Sequence, residues 1–222
     1  CVTGDGTVYL LNEKLEDCAS FPLVTGIVPT STGQAFGSRL EFAGKNQKSI
    51  VVYSDGKVIE QETTSFDNLT VVPVLHDKIS MYYEKSFLGG IHILDSNGEK
   101  AFLQLEDIGF GSPDYIKGND TIQIGFISQS GKLTKYDYVV SGKNENCYDA
   151  VSIDLDGVFY LNVKAIGNSF AALSEDGVLY SVNKDLTSVT KIKIPNLTAK
   201  TGYLSVADFD LDGKDEIFVC GE

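Results

Sequence analysis

The chain has 222 residues, 42% of them hydrophobic and 10% aromatic, which is enough apolar surface for a sizeable core and too much for a disordered polymer. Its formal charge is −13 and its only arginine is Arg39, so phosphate backbones and anionic membranes are repelled and nucleic acid is disfavoured as a partner. No apolar run approaches the roughly 20 residues that a membrane-spanning helix needs.

Residues 1–12 read as strand, Gly-Asp-Gly turn, strand, because Asp-Gly between β-prone runs tolerates the positive φ of a tight hairpin. Cys1 at the first position admits a lipid anchor. Against it, the strand-like pattern 2–11 starts at once, without a flexible spacer, so the chain is expected to begin inside a repeat. The same arrangement returns at 50–59, turning at Asp55-Gly56, and at 170–180, turning at Asp176-Gly177. Weaker copies lie at 81–94, turning at Gly89-Gly90, and at 124–136, turning at Ser130-Gly131. The turn glycines fall at 6, 56, 90, 131 and 177, with gaps of 50, 34, 41 and 46 residues. Such gaps match a four-stranded propeller blade of roughly 40–50 residues.

After each hairpin comes a polar link and another strand, as at 20–24, 69–74, 101–105 and 189–194. No window has helical periodicity, and β-branched and aromatic residues dominate. The expected fold is all-β: a β-propeller of about five repeats, spanning 1–222 as one domain. Residues 217–222 form the first half of a hairpin and Cys1-Val2-Thr3-Gly4 sits at the same phase. Either five blades close into a ring, or the chain is an arc of a larger ring that associates with further blades or another chain.

Near the C-terminus, Asp208-Phe209-Asp210-Leu211-Asp212-Gly213-Lys214-Asp215-Glu216 alternates aspartates with apolar spacers, then adds a glycine and a further carboxylate. Alternation points three carboxylates one way, and the glycine permits a tight turn around one point. Clustered anions repel unless a hard cation with six to eight oxygen ligands neutralises them, which points to calcium. The ligand set read from this run is Asp208, Asp210, Asp212 and Glu216 through their side chains, with the Lys214 carbonyl. An EF-hand is excluded, since it needs a glutamate at position twelve, where Val219 stands in a strand.

The run from Val206-Ala207-Asp208 to Val219-Cys220 resembles the calcium loop of FG-GAP and VCBS repeats, found in integrin-like β-propellers and many secreted bacterial proteins. The resemblance implies rings of six to eight blades, an extracellular, periplasmic or cell-surface location, and a protein or carbohydrate partner. A purely structural calcium ion, pinning the link between consecutive blades, is the expected role. Ser152-Ile153-Asp154-Leu155-Asp156-Gly157-Val158-Phe159-Tyr160 aligns with the loop at an offset of 56 residues, with Ser152 for the first aspartate and Tyr160 for Glu216. With two carboxylates it reads as a worn copy that has lost the metal.

No Gly-x-Ser-x-Gly elbow and no Gly-x-Gly-x-x-Gly opening a helix is present, so a hydrolase triad and a dinucleotide site have no anchor. A polysaccharide-cleaving enzyme is the alternative function, with isolated carboxylates such as Glu106, Asp107 and Asp114 to serve it. His76 and His92 read as ordinary strand or loop residues. Cys1, Cys18, Cys147 and Cys220 permit three disulfide pairings, and the sequence does not choose among them. Asn68, Asn119 and Asn196 head glycosylation sequons.

Overall fold

The computed structural model describes residues 1–31, 33–45, 48–62, 69–72, 79–84, 90–95, 98–107, 109–140 and 148–221. They are all-β, with no α-helix among the described residues. The chain divides into two compact units, Cys1–Gln104 and Leu105–Glu222.

In the first unit β1 (Thr7–Val8) pairs antiparallel with β2 (Leu23–Val24), and Val2 bridges to Val8 on the other side. Next come two four-stranded antiparallel meanders. One is β3 (Gln34–Phe36), β4 (Arg39–Gly44), β5 (Lys48–Tyr53) and β6 (Val58–Glu62); the other is β7 (Leu69–Val72), β8 (Ser80–Glu84), β9 (Gly90–Asp95) and β10 (Gly98–Gln104). The second unit repeats the plan in β11 (Asp114–Lys117), β12 (Thr121–Ile127), β13 (Lys132–Val139) and β14 (Tyr148–Asp154). It does so again in β15 (Lys164–Ile166), β16 (Ser169–Leu173), β17 (Val178–Asn183) and β18 (Val189–Lys193), and ends with the pair β19 (Tyr203–Ala207) and β20 (Glu216–Cys220). First strands lie side by side here, β11 against β15 and β15 against β19.

The middle strands are buried on both faces, so they read as unbroken apolar runs rather than as alternation. In β5, Ile50, Val51 and Val52 are all buried; in β16, Phe170, Ala171, Ala172 and Leu173 are. In the second unit the main core joins Leu133, Phe159, Val163, Phe170 and Val182, which belong to successive blades and their link. A smaller cluster in the first unit holds Val8, Phe42, Ile50 and Val52.

The turns explain the glycines. At Thr3–Gly6, Ser128–Gly131 and Ser174–Gly177 the glycine N–H donates to the carbonyl three residues back, at 2.9, 3.1 and 2.9 Å. The glycine φ values there are +83°, +96° and +79°, a region other residues enter only at a cost. Each of these glycine carbonyls then accepts an N–H from the segment just beyond the last strand of its sheet: Thr25 at 3.1 Å, Leu155 at 2.9 Å and Ile194 at 2.9 Å.

Gly56 departs from this plan. Its turn is also tight, with φ +87° and an N–H bond to the Tyr53 carbonyl of 2.9 Å, but it joins β5 to β6, the third and fourth strands. The Ser130-Gly131 and Asp176-Gly177 turns join second to third strands, which corrects the expectation that all recur at one blade position. It also accounts for the uneven first gaps of 50 and 34 residues, since Gly56 marks a different corner of its blade. The 81–94 hairpin is present as β8 paired with β9, although its Gly89-Gly90 turn begins outside the described residues.

Candidate metal centre

β19 and β20 pair antiparallel from Tyr203↔Cys220 to Ala207↔Glu216, so residues 208–215 are the turn of a hairpin. The loop therefore closes two strands of one sheet and does not link consecutive blades, as the sequence had suggested. The offset copy at 152–160 confirms the difference in context: it runs from the end of β14 toward β15, which are in separate sheets.

Within the hairpin turn the backbone reverses through two left-handed residues, Leu211 at φ +62° and Gly213 at φ +89°. Main-chain N–H groups brace the acids. Gly213 donates to Asp208 Oδ2 at 3.1 Å, Asp212 to Asp210 Oδ1 at 3.1 Å, Lys214 to Asp212 Oδ1 at 2.8 Å, and Phe209 to Glu216 Oε2 at 2.8 Å. On the outer side Phe209 meets the Phe218 ring edge-on at 5.3 Å between centroids, while Leu211 is fully open to solvent.

Asp208, Asp210 and Glu216 each bring an oxygen within 4.8 Å of the others. Asp212 stands outside this trio; its Oδ2 pairs with Lys214 Nζ at 3.2 Å. The Asp208 Oδ1 atom is buried and receives no hydrogen bond. A buried carboxylate oxygen without a donor is costly, and a hard cation satisfies it where the remaining donor set is all oxygen. The residues present thus fit a calcium ion, held by the trio.

The worn copy differs. Ser152 Oγ lies 3.0 Å from Thr134 Oγ1, Asp156 lies 3.8 Å from Lys191 Nζ, and Tyr160 packs against Phe110 with centroids 5.4 Å apart. Among the described residues its acids join no group of three close carboxylates. The carboxylates suggested for a glycosidase are engaged elsewhere. Glu106 pairs with Lys132, Asp107 Oδ2 accepts the Ser130 hydroxyl, and Asp114 Oδ2 accepts the Ala165 N–H at 3.0 Å. His92 is buried beside Phe102 and lies 3.4 Å from Glu84, as a strand residue. His76, Cys147 and Asn68 lie outside the described residues. Cys1, Cys18 and Cys220 are free thiols.

Sequence reasoning passed over a second polar constellation. Gln123 on β12, Asp137 on β13 and Asp149 on β14 are direct cross-strand partners, so they stand in one row on one face. Gln123 Nε2 donates to Asp137 Oδ1 at 2.8 Å, and Lys135 Nζ lies 2.7 Å from Asp137 Oδ2 with its side chain only 7% exposed. This row lines a cavity of about 940 Å³ that also meets Asn119 and, from the next blade, Asn168 and Lys184. The available signal was the alternation in Leu133-Thr134-Lys135-Tyr136-Asp137-Tyr138, which puts a lysine and an aspartate on the same side of a strand.

No family model matches the sequence, and no curated protein is significantly similar to it. Solved structures do match in fold. Sqt1 of Saccharomyces cerevisiae aligns with a TM-score of 0.62 at 12% identity, over 98% of this chain and 65% of that one. BBS1N, solved in complex with ARL6DN, aligns with a TM-score of 0.61 at 10% identity, over 86% of this chain and 60% of that one. BamB from Moraxella catarrhalis aligns with a TM-score of 0.55 at 13% identity, over 92% of this chain and 62% of that one. The four-stranded antiparallel meanders and these likenesses define the fold as a β-propeller. The chain spans less than two thirds of the length of each of these structures. Among the described residues no helix is long and apolar enough to cross a membrane.

Proposed function

We propose that this chain is a calcium-stabilised β-propeller module of the FG-GAP/VCBS type, secreted or displayed at a cell surface, that binds a protein or carbohydrate partner. The observation that carries the metal is Asp208 Oδ1, a buried oxygen without a donor, facing a loop where two further carboxylates lie close. Calcium would be held by Asp208, Asp210 and Glu216, and it supplies charge neutralisation that lets the hairpin turn stay closed. Asp212 and the Lys214 carbonyl complete the set proposed from the sequence, with Asp212 released from its pairing to the Lys214 ammonium. The binding role draws support from the carboxylates of the alternative glycosidase reading, which are occupied by Lys132, Ser130 and Ala165.

Calcium titration by calorimetry tests the proposal. Heat of binding with the wild type, and its loss in Asp210→Ala, is the expected result. No heat and no thermal shift at millimolar calcium would leave the loop as an acidic turn.

A further inference from the structure

The row Gln123, Asp137, Asp149 breaks two local rules of a stable sheet. Aspartates directly opposite each other on an antiparallel pair repel. A nearly buried lysine paired to one of them seldom improves stability over an apolar residue of like volume. Where such rules are broken without a stability gain, function is the usual reason. Here the break faces a cavity of about 940 Å³, within the size range of small-ligand sites.

We propose that this cavity binds a neutral, hydroxyl-rich ligand, a stretch of oligosaccharide. The inference rests on reading the chain as a binding module and names its ligand class. Asp137 is held rigidly, with one oxygen taken by Gln123 and the other by Lys135. Asp149 is exposed, and its carboxylate has no hydrogen bond or ion pair among the described residues, so both its oxygens are available to accept. Asn119, Asn168 and the ammonium of Lys184 add donors around the rim.

A sugar hydroxyl both donates and accepts, so it matches a wall that mixes the two. Lysines and aspartates line the same space, so a strongly cationic or anionic ligand meets like charge whichever way it lies. Among the described residues Ile116 and Val139 are the only large apolar ones in the wall, too little surface to hold an apolar ligand. The aspartates of this wall form no close group of three acidic oxygens among the described residues, which distinguishes the site from a cation centre.

The test is a printed array of neutral and acidic glycans, probed with the wild type, Asp149→Ala and Asn168→Ala in calcium, all at matched thermal stability. The expected result is retention of at least one neutral glycan by the wild type. Its affinity should fall about tenfold in Asp149→Ala, the loss of a hydrogen bond to a charged acceptor, and less in Asn168→Ala. Retention of no glycan, of acidic glycans only, or of neutral glycans equally by all three proteins would overturn the inference. Probing Asp210→Ala below its melting temperature separates the two proposals. Glycan retention without a calcium response leaves this site standing and removes the metal. A calcium response without glycan retention does the reverse.

Discussion

The main-chain N–H of Phe209 donates to Glu216 Oε2 at 2.8 Å, so the carboxylate that closes the acidic turn is held from the turn's opposite end. The bond fixes the Glu216 carboxylate in advance, so the calcium ion proposed above would meet that group already in place. Glu216→Gln keeps a carbonyl acceptor for Phe209 and removes the charge. Its melting temperature without calcium should stay near that of the wild type, while the calcium-dependent shift falls sharply. If calcium binds as proposed, the wild-type shift should be roughly 5–10 °C at a hundredfold excess over the dissociation constant. Glu216→Ala should lower the melting temperature in both conditions. Thermal scans with and without calcium decide it, and equal behaviour of the two variants would count against the bond.

Gly177 carries a different burden. At φ +79° an added Cβ would lie 2.4 Å from the Leu197 carbonyl oxygen, where the chain returns past the turn. Gly167 is left-handed too, at φ +54°, but an added Cβ meets nothing within 4 Å. Gly167→Ala should thus cost about 1–2 kcal/mol, the left-handed penalty alone. Gly177→Ala should cost clearly more, and urea unfolding of both variants measures the difference.

Blade-to-blade packing in the second unit makes a third prediction. Gly125 on β12 faces Phe170 on β16, and an added Cβ would sit 2.5 Å from Phe170 Cε1. Gly125→Ala should destabilise by about 1–3 kcal/mol through overpacking. Phe170→Leu should relieve part of that clash, so the double variant should be more stable than the two single losses predict. Simple additivity would mean that the two side chains are independent.

Stability should also depend on acidity in two opposed ways. Burial pushes the carboxyls of Asp114 and Glu41 up, while the Ala165 N–H bond to Asp114 and the Arg39 charge beside Glu41 pull them back. The folded state thus holds their protons more tightly than the unfolded chain, and stability rises as pH falls from neutral through their folded values. Asp5 and Asp176 are held low, chiefly by the hydroxyls of Thr3 and Ser174. Their contribution is complete above the ordinary value of 3.8 and disappears as pH falls through their lowered values. Denaturant midpoints across pH should peak on the acid side of neutral, and Asp114→Asn should flatten the rise.

Much of this architecture could be read from residue order because each blade is a local meander. Asp176-Gly177 and Ser130-Gly131 mark hairpins on their own, since turn chemistry needs only neighbouring residues. Asp55-Gly56 has the same chemistry at another corner, and local sequence carries no label for which corner a turn occupies. The clustering of Asp208, Asp210 and Glu216 was legible because these acids lie within nine residues of one another. Its placement in a hairpin was not, because that depends on Ala207 pairing with Glu216 rather than on either residue alone. The buried Arg39–Glu41 pair, at 2.8 Å, and the nearly buried Lys135 beside Asp137 were hidden for the opposite reason. Charged residues in alternating strands read as a solvent face until a neighbouring sheet is known to cover them.

Among the described residues every ladder joins strands that are neighbours in sequence. Each sheet can accordingly zip up as soon as its own strands exist, with little loop-closure entropy to overcome. A strand paired one residue out of step would stay inside a single blade, because among the described residues no ladder joins two sheets. An error in one blade would therefore leave the described ladders of the others unchanged.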